Sequence, residues 1–146
     1  MHGREKIFMS AERCFIDTNV LVYLFDADSP GKQARSRELL EEVADSAVLS
    51  TQVLAEFYVA VTRKLGKPLP AIKARDAVES LCELEVRPVH TTLVKSAIRR
   101  SRDSQLSYWD ALIIETAMES DASTLFTEDL QHGQKFDHLR VVDPFR

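Results

Sequence analysis

The chain has 146 residues, 45% of them hydrophobic, and a formal net charge of −4. That is enough apolar material for one sizeable core. The acidic balance excludes a generally basic nucleic-acid binder, so any nucleic-acid contact must use local Lys and Arg patches. The stretch from Met1 to Arg13 has no long apolar run. It reads as neither a signal peptide nor a membrane span, and a cytoplasmic protein is expected. Met9 is a second candidate start, with residues 1–11 as a variable tail. Cys14 and Cys82 are expected as buried reduced thiols, and no Cys/His array suggests zinc.

Strand-like and helix-like segments alternate along the chain. Cys14-Phe15-Ile16 is a short apolar run that stops at Asp17, and the stretch from Val20 to Phe25 begins a helix. Ser29-Pro30 starts another, with Ser as cap and Pro in the first turn; Leu39, Leu40, Val43 and Ala44 form its stripe. Ala47-Val48-Leu49 reads as a second buried strand. Leu54, Phe57, Tyr58, Val61 and Leu65 then recur at helical spacing until Gly66 and Pro68 end the helix. Ala71 to Leu84 is a further helix, and Val86 to Val89 a third strand that Pro88 assigns to an edge. Thr91 or Thr92 caps a helix whose apolar face includes Leu93, Val94, Ala97 and Ile98. Trp109, Leu112, Ile113 and Ala117 mark the next, with Trp109 expected in the core. Thr124-Leu125-Phe126 is a fourth strand and Arg140-Val141-Val142 a short fifth. No repeat or linker divides residues 1–146, so a single α/β domain is expected, a parallel sheet with helices on both faces. Sites in such sheets lie beyond the carboxyl ends of the strands, where Asp17 and Asp129 fall.

Four carboxylates stand out: Asp17, Glu56, Asp110 and Asp129. They can share a pocket only if something positive joins them, and a hard divalent cation with oxygen ligands is the usual answer. Metal-assisted chemistry on a phosphate ester follows from that. Each has a plainer reading as well. Asp17 can cap the Val20 helix, Glu56 can be a solvated helix residue, and Asp110 can be a helix N-terminal carboxylate. Asn19 can orient Asp17 or hold a turn, and Thr127 can bond a carboxylate or a short turn. Glu128 competes with Asp129, while Glu115 and Glu119 read as a solvated face. Arg99, Arg100 and Arg102 are candidates for substrate phosphates, although such charges are commonly solvated surface. Tyr108 and Trp109 could stack on an unpaired base, and His132 lies near Asp129 in the sequence.

The segments Phe15-Ile16-Asp17-Thr18-Asn19-Val20-Leu21, Glu56, Tyr108-Trp109-Asp110-Ala111-Leu112-Ile113 and Phe126-Thr127-Glu128-Asp129-Leu130 together resemble a PIN domain. More narrowly, they are similar to the VapC-type toxins of toxin–antitoxin pairs. The resemblance runs from about Cys14 to Val142. It implies a three-layer α/β/α sandwich with a five-stranded parallel sheet. It also implies Mg²⁺- or Mn²⁺-dependent cleavage of RNA, a homodimer, and silencing by a cognate antitoxin. Asp17 and Asp110 would be the chief metal ligands, and Glu56 or Asp129 would aid a second ion. A haloacid-dehalogenase-like phosphatase needs an Asp where Asn19 stands. A receiver domain needs an adjacent acidic pair and a late Lys that are missing here. The remaining alternative is a catalytically inactive PIN-like module that binds RNA or a protein.

Overall fold

The computed structural model describes residues 12–146; the expected tail over residues 1–11 and the alternative start at Met9 lie outside the described residues. Short apolar runs make interior strands of the sheet. Strand β1 (Arg13–Ile16) and strand β2 (Ala47–Ser50) are buried over Cys14 to Ile16 and over all of β2. Continuous burial of this kind is what strands covered on both faces require. Strands β3 (Glu85–Arg87), β4 (Ala122–Phe126), β5 (Lys135–Phe136) and β6 (Leu139–Val142) complete the order β3-β2-β1-β4-β6-β5. The first five in that order run parallel, as expected. The addition is β5, a two-residue strand paired antiparallel to β6 through a turn in which Asp137 has φ 55°. Two residues are too few to show alternation in a sequence. Strand β3 takes an edge, and it ends at Arg87, before Pro88.

Six α-helices connect the described strands: α1 (Thr18–Val22), α2 (Pro30–Val43), α3 (Thr51–Arg63), α4 (Ala71–Leu81), α5 (Thr91–Ser104) and α6 (Tyr108–Glu119). A 3₁₀ turn, Tyr23–Phe25, extends α1. The main core joins Phe15, Ile16, Leu49, Phe57, Ile114 and Leu125. A smaller cluster of Leu93, Ala97, Ala111 and Leu112 holds α5 against α6. The result is the α/β/α sandwich.

Four expectations change. Helix α4 stops at Leu81, so Cys82 caps its end and is exposed instead of buried. Cys14 is the buried free thiol, pushed up to about 11 by desolvation and held back by Ser46. Helix α5 begins at Thr91 with His90 at the cap position, so neither threonine caps it. Trp109 is 59% exposed. It sits in the first turn of α6 and packs edge-on against Tyr108, with ring centroids 4.9 Å apart, rather than in the core. Ile98 is also exposed.

Candidate active site

Register between β1 and β4 assembles the site. Ile16 pairs with Phe126, so the next residues, Asp17 and Thr127, leave the sheet side by side. The Asp17 N–H donates to the Phe126 carbonyl at 3.0 Å and the Thr127 N–H to the Val142 carbonyl at 3.1 Å. Asp17 is buried and has extended backbone, and it caps α1. Its Oδ1 accepts from the Thr18 N–H at 2.7 Å, and its Oδ2 accepts from the Thr127 hydroxyl at 2.8 Å. The cap reading and the site reading of Asp17 therefore coexist.

Thr127 Oγ1 is a hub. It donates to Asp17 and accepts from the Asp129 N–H at 3.0 Å and from Asn19 Nδ2 at 3.4 Å. Asn19 Nδ2 also donates to Asp129 Oδ2 at 2.9 Å. The other end of that amide, Asn19 Oδ1, is buried with no hydrogen-bond partner.

Two serine caps bring in the remaining carboxylates. Ser50, at the end of β2, caps α3 by accepting from the Val53 N–H, which fixes Glu56 in the second turn. Glu56 Oε1 accepts from the Thr18 hydroxyl at 2.8 Å, and Oε2 accepts from Gln52 Nε2 at 3.1 Å. Ser107 caps α6 by accepting from the Asp110 N–H at 3.0 Å. Gln52 ties α3 to α6 by donating to the Trp109 carbonyl at 3.2 Å. Neither serine nor Gln52 was singled out from the sequence. The one signal for Gln52 was its position four residues before Glu56, one helical turn away.

The electrostatics follow from this crowding. Desolvation pushes the Asp17 carboxyl up to about 7. Hydrogen bonds from Thr127 and Thr18 oppose the rise, and the charges of Asp129 and Glu56 add to it. Asp110 is raised by desolvation, held back by Ser107, and raised again by Asp129 and Glu56. Asp17 and Asp110 thus each feel Glu56 and Asp129, and those two acids line a cleft of about 910 Å³. Among the described residues, however, no three His, Cys, Asp or Glu side chains are already closed into a metal cage.

The donor set still fits a hard divalent cation. It is all oxygen, its most buried member is a carboxylate raised by desolvation and by the charges of Asp129 and Glu56, and the amide that holds Asp129 has an unpartnered buried oxygen. A positive charge there would relieve the repulsion that raises Asp17 and Asp110.

Other candidates lie elsewhere. Arg100 is paired with Glu115 and sits over the Phe136 ring, 5.6 Å from its centroid. Glu115 is consequently half-buried and paired, not a solvated face residue, and Glu119 is bonded to His90 at 2.7 Å. Arg99 and Arg102 are exposed on α5, and none of the three arginines lines the cleft. Glu128 bonds Tyr23 and Lys32. His132 Nδ1 accepts the Asp143 N–H at 3.0 Å.

A family model for the PIN domain matches residues 14–138. No curated protein matches the sequence significantly. Among solved structures, a toxin–antitoxin complex from Klebsiella pneumoniae is similar with 18% identity, 90% of this chain and 97% of that one covered, and a TM-score of 0.68. A sarcin–ricin-loop-cleaving VapC toxin of Mycobacterium tuberculosis is similar with 17% identity, coverage of 77% and 86%, and a TM-score of 0.61. VapBC2 from Rickettsia felis, bound to a promoter DNA fragment, is similar with 18% identity, coverage of 88% and 96%, and a TM-score of 0.62. At these identities the likeness is one of fold.

Proposed function

The chain belongs to the PIN-domain family, and from that premise we propose that it is a Mg²⁺- or Mn²⁺-dependent endoribonuclease, the VapC-type toxin of a toxin–antitoxin pair. One observation carries the reading. Glu56 and Asp129 line one cleft, and Asp17 and Asp110 each lie close enough to feel both of their charges, with Asp17 desolvated and Asn19 Oδ1 unpartnered.

Asp17 and Asp110 would hold the ion, with Glu56 and Asp129 completing the acidic rim. When bound, a divalent ion lowers the pKa of a water and stabilises developing charge on phosphate oxygens. The chain does the positioning. Thr18 and Thr127 fix the two Asp17 oxygens, and Thr18 and Gln52 fix the two Glu56 oxygens. Asn19 orients Asp129. Attack of water on phosphorus with cleavage of the P–O3′ bond, the 3′ oxygen leaving and taking up a proton, would give a 5′-phosphate and a 3′-hydroxyl. A metal-free ribonuclease would leave a cyclic phosphate instead.

The partner reading also comes from the cleft. Val22, Ala55, Val59 and Leu65 line it together with Glu56 and Asp129. An antitoxin tail with an apolar segment and an Arg would fit that pattern, because a planar guanidinium binds a carboxylate through two hydrogen bonds. A homodimer and a cytoplasmic setting belong to the same proposal. No helix among the described residues is long and apolar enough to cross a membrane.

The second reading is a catalytically inactive RNA-binding or interaction module. Incubation of purified protein with RNA separates the two. Cleavage that EDTA stops and Mn²⁺ restores supports the nuclease, and RNA that is bound but never cut supports the module.

A further inference from the structure

Glu128 and Asp129 are neighbours in the loop after β4, yet their side chains have separate partners. Asp129 is exposed and held by Asn19 Nδ2 at 2.9 Å. Glu128 is bound by a second group of residues, from the 3₁₀ turn after α1 and from α2. Its Oε1 accepts from the Tyr23 hydroxyl, and its Oε2 accepts from Lys32 Nζ at 2.9 Å. Lys32 also donates to Tyr23 Oη at 3.2 Å. The ammonium lies 4.9 Å from the Tyr23 ring centroid and 5.4 Å from that of Phe145, and the two rings meet edge-on at 5.0 Å.

An exposed Lys–Glu pair alone contributes little. Here each of the three polar groups bonds the other two, and the cation also lies against two aromatic rings. The group joins the end of α1, the first turn of α2 and the loop after β4.

We propose that Tyr23, Lys32 and Glu128 form a positioning clamp that sets the loop carrying Asp129, so that Asp129 meets the ion without first being ordered. The clamp rests on the reading of Asp129 as a site residue. Glu128 is then a positioning residue and not a ligand. Loss of residues supporting a metal ligand typically weakens affinity 10–100-fold. Because the clamp acts through the backbone, the low end is expected, about tenfold.

The test uses the full chain with Glu128→Ala, Tyr23→Phe, Lys32→Met and Lys32→Arg. Hydrogen exchange is followed at residues 127–130 in EDTA, and Mn²⁺ binding is measured by calorimetry. Glu128→Ala and Lys32→Met should exchange faster in the loop and bind Mn²⁺ about tenfold more weakly. Lys32→Arg should stay near the parent, and Tyr23→Phe should fall between. Unchanged loop exchange in Glu128→Ala overturns the clamp. Faster exchange with unchanged Mn²⁺ affinity overturns its positioning role. If the parent itself binds no Mn²⁺, the site reading and the positioning role fall together, and the exchange data still decide whether the loop is clamped.

Discussion

Replacing Asp17 by Asn should stabilise the metal-free protein at neutral pH while destroying its proposed activity. Burial pushes the Asp17 carboxyl up to about 7, against roughly 3.9 in an unfolded chain. Between those two values the native state holds a proton that the unfolded state has released. Stability therefore falls as pH rises through that window, and is greatest below about 4. The full loss is on the order of 4 kcal/mol, at about 1.4 kcal/mol for each tenfold change in proton affinity. Asn carries no charge to desolvate. It does lose one of the two acceptors used by Thr18 and Thr127, which costs about 1 kcal/mol. The net gain should be about 3 kcal/mol at pH 8, roughly 10 °C in Tm for a domain of this size. Thermal melts in EDTA across the pH range are the assay. The advantage of Asp17→Asn should widen by about 2–3 kcal/mol between pH 5 and pH 8. A parent as stable as the variant at pH 8, or a gap that ignores pH, would refute the desolvated carboxylate.

The remaining predictions concern the rest of the cleft. Mn²⁺ at about a hundred times its Kd should raise the parent's stability by roughly 2.7 kcal/mol, and superimposable melts with Mn²⁺ and EDTA would count against the site. Asp110→Asn should abolish RNA cleavage in a folded protein, while Glu56→Gln and Asp129→Asn should leave a larger residual rate; gel-resolved cleavage time courses rank them. Thr127→Val strips Asp17 Oδ2 and the Asp129 N–H of their shared partner. It should cost about 1–3 kcal/mol in urea unfolding and slow cleavage. Co-expression with a neighbouring antitoxin should give a complex that does not cut RNA, and changing the tail's basic residue to Ala should restore cutting; a complex as active as the free chain would exclude occlusion of the cleft.

Much of the fold was legible because its signals are local. Apolar runs ending at Asp17 and before Thr127 mark strand ends, and Ser29-Pro30, Gly66 and Pro68 punctuate helices. The acids were legible as residues, and their order along alternating elements suggested one cleft. Their supports were not, because they depend on contacts across the chain. Thr127 to Asp17 spans 110 positions and Lys32 to Glu128 spans 96. Trp109 illustrates a different failure. Its spacing to Leu112 and Ile113 is that of a buried stripe, but periodicity does not reveal that its turn lies at the lip of the cleft, outside the core. Cys82 was misplaced for a similar reason, since a helical pattern does not locate its last buried turn. Strand β5 was too short to leave a pattern at all.

End-mapping of RNA treated with the purified chain tests the central claim most directly. Parallel reactions would contain Mn²⁺, EDTA, and the Asp17→Asn variant with Mn²⁺. Discrete cuts with 5′-phosphate and 3′-hydroxyl ends are expected in the first reaction alone. Cuts that persist in EDTA or with Asp17→Asn, or that carry cyclic phosphate ends, would contradict metal-dependent hydrolysis at this cleft.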